Sequence, residues 1–137
     1  MDQQEKPLSL VLFSGTDDKL NAAAVLTVGA AVMGRPVNIF LQYYALRAFR
    51  AGKVCADHAL AWEATDALTH VIRAHPGEHW SELLKQAKDV GDVNIQACAL
   101  SMDMFHLQKT DLDPLVDGIE GVAAFMTSVA DGQVLFI

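Results

Sequence analysis

The chain has 137 residues, 52 % of them hydrophobic and 20 % charged, a length that suits one domain able to bury a core without disulfide or metal staples. Ten lysines and arginines against seventeen aspartates and glutamates leave a formal charge of −7, which repels a phosphate backbone and argues against nucleic-acid binding. The apolar share, high even before glycine is counted, excludes disorder and points to buried subunit contacts.

The opening residues 1–5 (MDQQE) lack the basic stretch of a secretory signal, and two cysteines, Cys55 and Cys98, are too few for a secreted disulfide scaffold. The expected compartment is therefore the reducing cytoplasm. Residues 8–14 (LSLVLFS) are β-prone and almost continuously apolar, the pattern of a buried strand, and they stop at Gly15-Thr16-Asp17. Thr16 or Asp17 can cap a helix over 18–33, which Gly34 and Pro36 terminate. The uncharged run 20–34 is 15 residues long, short of the roughly 18 that a membrane-spanning helix requires.

Residues 37–41 (VNIFL) repeat the strand pattern, and helical spacing returns over 42–51 before Gly52. Alternation of strand and helix predicts a parallel sheet. Over 56–74, Leu60, Ala64, Ala67, Leu68, Val71 and Ile72 follow one face of an amphipathic helix. His75-Pro76-Gly77 breaks it, and Trp80, Leu83, Leu84 and Ala87 mark a short helix closing near Gly91. A third strand spans 93–99 (VNIQACA), and Ser101 can cap a short helix to about 107. The polar, turn-rich stretch 110–118 selects no element. Ile119, Val122, Ala123, Met126 and Val129 predict a final amphipathic helix, followed by an Asp131-Gly132 turn and a terminal strand over 134–137. The expected fold is α/β, a single three-layer domain over 1–137 with a mostly parallel sheet of four to five strands flanked by helices and right-handed crossovers.

Ligands and reactive groups gather beyond the carboxyl ends of such strands. Three exits matter: Ser14-Gly15-Thr16, Gln42-Tyr43-Tyr44 and Cys98-Ala99-Leu100-Ser101. Only Cys98 brings an intrinsically reactive atom. A free cysteine is commonly a small buried hydrophobe, yet this one stands just before a predicted helix start, where unpaired N–H groups favour a thiolate, while Asp103 would oppose it. Cys55, in a loop beside Lys53, reads as an incidental surface thiol or a resolving partner. Cys55, His58, His75 and His79 have poor spacing for a metal, because Pro76 and Gly77 interrupt any shared helix and no C-x-x-C pair exists.

Ser14 to Asp17 could cradle an anion, although it matches neither common phosphate-binding glycine motif, and an ordinary strand-to-helix turn explains it equally well. Arg47 and Arg50 are three apart on one helix face, suited to an anionic substrate, an acidic partner or simple solvation. Met102, Met104, Phe105, Phe125 and Met126 supply apolar bulk for the core or for an oligomer interface around Cys98.

The stretch Ile95-Gln96-Ala97-Cys98-Ala99-Leu100-Ser101-Met102-Asp103 resembles the strand, cysteine and S-M-D turn of the DsrE/DsrF-like sulfur-transfer family. Ser14-Gly15 with Asp18-Lys19, the run 29–34, Asp117-Gly118-Ile119-Glu120 and the closing Leu135-Phe136-Ile137 support it in the expected order. The segment 51–90 matches loosely, so Cys55 inherits no role. The resemblance implies a cytoplasmic sulfur carrier or sulfurtransferase without a cofactor. Cys98 would hold sulfane sulfur as a persulfide or bound thiosulfate, with Ser14, Gly15 and Ser101 as pocket or N–H donors. It also implies trimers or hexamers working with TusA-like carriers or rhodaneses. Two other readings stand beside it: a thiol peroxidase in which Cys55 resolves Cys98, and a non-catalytic oligomeric module that binds a small anion.

Overall fold

The computed structural model describes residues 6–137. In chain order the elements are β1 (Leu8–Leu12), α1 (Asp17–Val32), β2 (Val37–Leu41), α2 (Tyr43–Ala48), α3 (Asp66–Ala74), α4 (Trp80–Val90), β3 (Val93–Cys98), α5 (Ala99–Met104), β4 (Gly118–Glu120), α6 (Val122–Ser128) and β5 (Gln133–Phe136), with a 3-10 turn at Lys109–Asp111. The strands form one parallel sheet in the order β4-β3-β2-β1-β5. The α/β expectation holds, and the strand order follows from crossover direction.

Three successive connections, from β1 to β4, move the chain the same way across the sheet, so right-handed crossovers stack their helices on one face. That face carries the main core. Leu8, Leu10 and Leu12 of β1, Val37, Ile39 and Leu41 of β2, and Val93, Ile95 and Ala97 of β3 all point to it, as the period of two demands. Above them α1 packs on α4, close enough that a Cβ on Gly91 would lie 2.8 Å from that of Ala31. The alanines of α1 are what allow this approach.

The last connection runs back over the whole sheet to the far side of β1, and the same handedness places α6 on the opposite face. There Phe40, Cys98, Phe125 and Val129 form a separate buried cluster, with Val11 beside it. The rings of Phe40 and Phe125 stack at 4.5 Å with an interplanar angle of 12°.

Two sequence expectations change. The helix expected over 56–74 forms only from Asp66, and none of its residues is buried. Thr65 caps it, its hydroxyl accepting from the Leu68 N–H. Upstream, the His58 and Ala61 N–H groups donate to the carboxylates of Asp17 and Asp18, so they are withdrawn from helical pairing. The helix expected from Ile119 begins at Val122, because Gly118–Glu120 adds an edge strand to β3. The Asp117 carboxylate accepts from the Ile95 N–H at 2.8 Å and pairs with Lys88 at 2.5 Å, which fixes where that strand starts. Three residues are too few for a period of two to show in sequence.

The Phe40–Phe125 stack is the test of α6 placement. Leucine at each position alone and at both should reveal a favourable coupling of about 0.5–1.5 kcal/mol in a double-mutant cycle from urea unfolding. A coupling of zero would mean that α6 does not rest on β2.

Candidate functional site

Cys98 closes β3 and stands at the N-cap of α5, at the carboxyl edge of the sheet. Strand alternation sends Ala97 to the main core and Cys98 to the α6 face, where its side chain sits among Phe40, Phe125 and Val129 and the residue is only 4 % exposed. Its sulfur makes no capping bond to α5. Of the two sequence readings, the buried small hydrophobe describes the Cys98 side chain, and the expected hold by helix N–H groups is corrected: its position in the chain is as expected, but α6 lies over the sulfur.

Ser101 lies inside the first turn of α5 instead of capping it, and it is fully buried. Its hydroxyl accepts the Tyr43 N–H at 3.0 Å. Tyr43 has φ 46, a left-handed conformation that strains a bulky residue and persists only where its surroundings hold it. Ser101 supplies one such restraint, and the Tyr43 ring packs on Phe13 at 4.9 Å. Gly15 serves the neighbouring junction, because a Cβ there would collide with the Tyr44 carbonyl oxygen. Gly15 and Ser101 therefore lock the exits of β1, β2 and β3 against one another. Ser14 stands 3.2 Å from the Thr16 hydroxyl and lines a cavity of about 360 Å³ that also includes Arg47, Arg50 and His58.

A second polar assembly has no signature in the sequence, since it joins residues 56 and 63 positions apart. The nearly buried Asp17 carboxylate accepts from Arg73 at 2.5 Å, from the Trp80 indole at 3.0 Å and from the His58 N–H at 2.9 Å. Its bond to Asp17 raises the pKa of Arg73 further. Beside it, His79 caps α4: its Nδ1 accepts the Ser81 N–H and lies 2.8 Å from the Ser81 hydroxyl, which is 4.0 Å from the exposed Cys55 sulfur. With Nδ1 an acceptor, the neutral ring carries its proton on Nε2, and that atom is buried without a partner, as is Nε2 of His58. No local motif marks this chain of contacts; the only signal is that His79 precedes a helix start.

Cys55 belongs to the α4 side of the sheet and Cys98 to the α6 side. Both thiols are free and they sit in separate surroundings, Cys55 exposed beside Ser81 and Cys98 buried beneath α6, so the structure does not bring them together as a resolving pair. Among the described residues, no group of three or more His, Cys, Asp and Glu side chains could hold a metal ion. Nor, among them, is any helix long and apolar enough to cross a membrane.

A family model described as DsrE/DsrF/DrsH-like matches residues 55–137, a span that contains Cys98, the S-M-D turn and the last two strands. The chain belongs to the DsrE/DsrF/DrsH-like family. The match takes in all of the loosely resembling segment 51–90 from Cys55 onward. The chain is also 29 % identical over 162 residues to the uncharacterized protein YrkE of Bacillus subtilis (strain 168), with both chains covered completely. The protein of unknown function MTH1491 from Methanobacterium thermoautotrophicum has a similar fold, with a TM-score of 0.55 at 12 % identity, covering 97 % of this chain and 100 % of that one.

Two measurements probe the site. Ser101→Ala should leave the Tyr43 N–H unsatisfied and cost about 1–3 kcal/mol in urea unfolding; an unchanged midpoint would show that Ser101 does not hold Tyr43. Burial pushes the His79 imidazole below its ordinary 6.5, with His58 adding to the effect and Asp17 opposing it. A depressed native pKa means the unfolded chain binds the extra proton first, so stability should fall as pH drops below about 6.5. His79→Asn keeps a capping side chain and should flatten that decline in a series of urea melts across pH.

Proposed function

We propose that this protein is a sulfur carrier or sulfurtransferase in which Cys98 holds sulfane sulfur between partner thiols. The observation that carries the reading is the placement of the family's cysteine segment: Cys98 is the last residue of β3 and the N-cap of α5, at the sheet edge where reactive groups of parallel sheets collect. In the transfer step the Cys98 thiolate attacks the outer sulfur of a donor persulfide. The donor's S–S bond breaks, the donor leaves as a thiolate and Cys98 gains one sulfur; an acceptor thiolate repeats the exchange in the other direction. No net oxidation occurs.

Burial under α6 gives this chemistry a cover. Phe40 and Phe125 wall off the sulfur, which shields a persulfide from stray reductants, and loading then requires α6 to move. That helix has seven residues and buries only Phe125. A TusA-like carrier or rhodanese in the cytoplasm suits such a relay. A homo-oligomer is supported by α1 and its C-cap, where Val25, Leu26, Val32 and Met33 are exposed without a charge among them.

One observation favours a second reading. Cys55 is the exposed thiol, within hydrogen-bond range of Ser81 and through it of His79, so it is the sulfur first met by a reagent from solution.

Intact-mass analysis after exposure to polysulfide, thiosulfate or a persulfidated donor separates the two. A +1 sulfur adduct should persist in Cys55→Ser and vanish in Cys98→Ser, and Phe125→Ala should load faster than the parent. Loss of the adduct in Cys55→Ser alone would transfer the role to Cys55, and no adduct under any condition would refute the carrier function.

A further inference from the structure

We propose that the cavity between the exits of β1 and β2 is a binding site for a small tetrahedral oxyanion, with Arg47 and Arg50 as its principal ligands. The site is independent of sulfur loading, because the cavity shares no residue with the cluster that encloses Cys98.

Charge is segregated around this cavity. The chain carries a formal −7, yet no acidic residue lines the cavity wall, whereas two arginines and a histidine do. The acids nearest in sequence, Asp17 and Asp18, sit in the first turn of α1 and would repel an anion there. Asp17 is held by Arg73, Trp80 and the His58 N–H, Asp18 accepts from the Ala61 N–H and from the Thr16 side chain, and both carboxylates line the adjoining cavity.

The cations are also unspent. Among the described residues neither Arg47 nor Arg50 has a carboxylate within 4.0 Å, although Arg73 and Lys88 do. Arg50 uses its Nε to donate to the Arg47 carbonyl at 2.9 Å, leaving both terminal nitrogens for a ligand. The Arg47 guanidinium lies over the Phe105 ring, 5.5 Å from its centroid, a contact that orients the fork without neutralising it. His58 adds an imidazole to the lining.

Size and place agree with such a ligand. A cavity of about 360 Å³ admits a tetrahedral oxyanion with room for water, and it opens at the carboxyl edge of a parallel sheet where ligands bind. Ser14 and Thr16, whose hydroxyls lie 3.2 Å apart, complete the polar part of the lining. Sulfate, thiosulfate and phosphate share this geometry and charge.

Calorimetric titration of the full chain with each of these three anions, at low ionic strength, tests the site. Saturable binding is expected. Arg47→Gln/Arg50→Gln should weaken it by about tenfold or more, the equivalent of one or two charge-assisted hydrogen bonds. Ala59→Glu, which adds a carboxylate to an exposed position of the wall, should weaken it comparably, and Cys98→Ser should bind as the parent does. Tighter binding of thiosulfate than of phosphate assigns a sulfur oxyanion as the ligand; the reverse order assigns a phosphate. An affinity unchanged in either charge variant, loss of binding in Cys98→Ser, or no saturable binding of any of the three would overturn the proposal.

Discussion

The return crossover through α6 is the constraint on which the arrangement of this molecule depends. A parallel sheet has two faces, and a chain that always advances in one direction covers only one of them when its connections are right-handed. Three connections here do advance, and they bury the main core beneath α1 and α4. The fourth reverses, and the seven residues of α6 are what it lays on the other face. The setting of Cys98 follows, because strand alternation points its sulfur to that second face and Phe125 closes over it.

The strand exits form a second level of organisation. Three loops meet at the carboxyl edge, and each is tied to the next by a contact that tolerates little change: Gly15 against the Tyr44 carbonyl, and Ser101 on the N–H of the left-handed Tyr43. These contacts cost conformational freedom and hold a strained residue. In exchange, α2 is held in place at the edge. It carries Arg47, while Arg50 lies beyond its end in a bridge to Leu112, so the two arginines do not share one helix face as their spacing suggested. Both nonetheless line the cavity beside the β1 turn. Of the residues expected to contact a ligand, Ser14 and Gly15 line a cavity, and Gly15 with Ser101 also sets the geometry of the edge.

Asp17 performs a different kind of positioning. A nearly buried carboxylate bound to Arg73, Trp80 and a backbone N–H is a weak argument for stability, since desolvation offsets much of the attraction. Its consequence is spatial. It gathers His58 and the segment before α3 onto the start of α1 and draws negative charge out of the cavity that Arg47 and Arg50 line. Charge sorting of this kind lets an acidic protein keep one site for an anion.

The alternation of strands and helices, and hence a parallel α/β domain, was legible in the sequence because each long element satisfies its own period: LSLVLFS and VNIFL as buried strands, the alanine-rich run as a close-packed helix, and Cys98 at the end of a strand. The family segment around Cys98 was legible for the same reason, as a contiguous string of residues. What tertiary structure alone decided is everything that depends on two distant segments meeting. The 56–65 stretch has helical spacing, but Asp17 and Asp18 claim its N–H groups; residues 118–120 become a strand only because β3 offers an edge. Periodicity says that Cys98 and Ala97 face opposite ways, yet which side receives a cover is set by the direction of the last crossover. The burial of the thiol, and the meeting of Ser14 with Arg47, Arg50 and His58, were settled there.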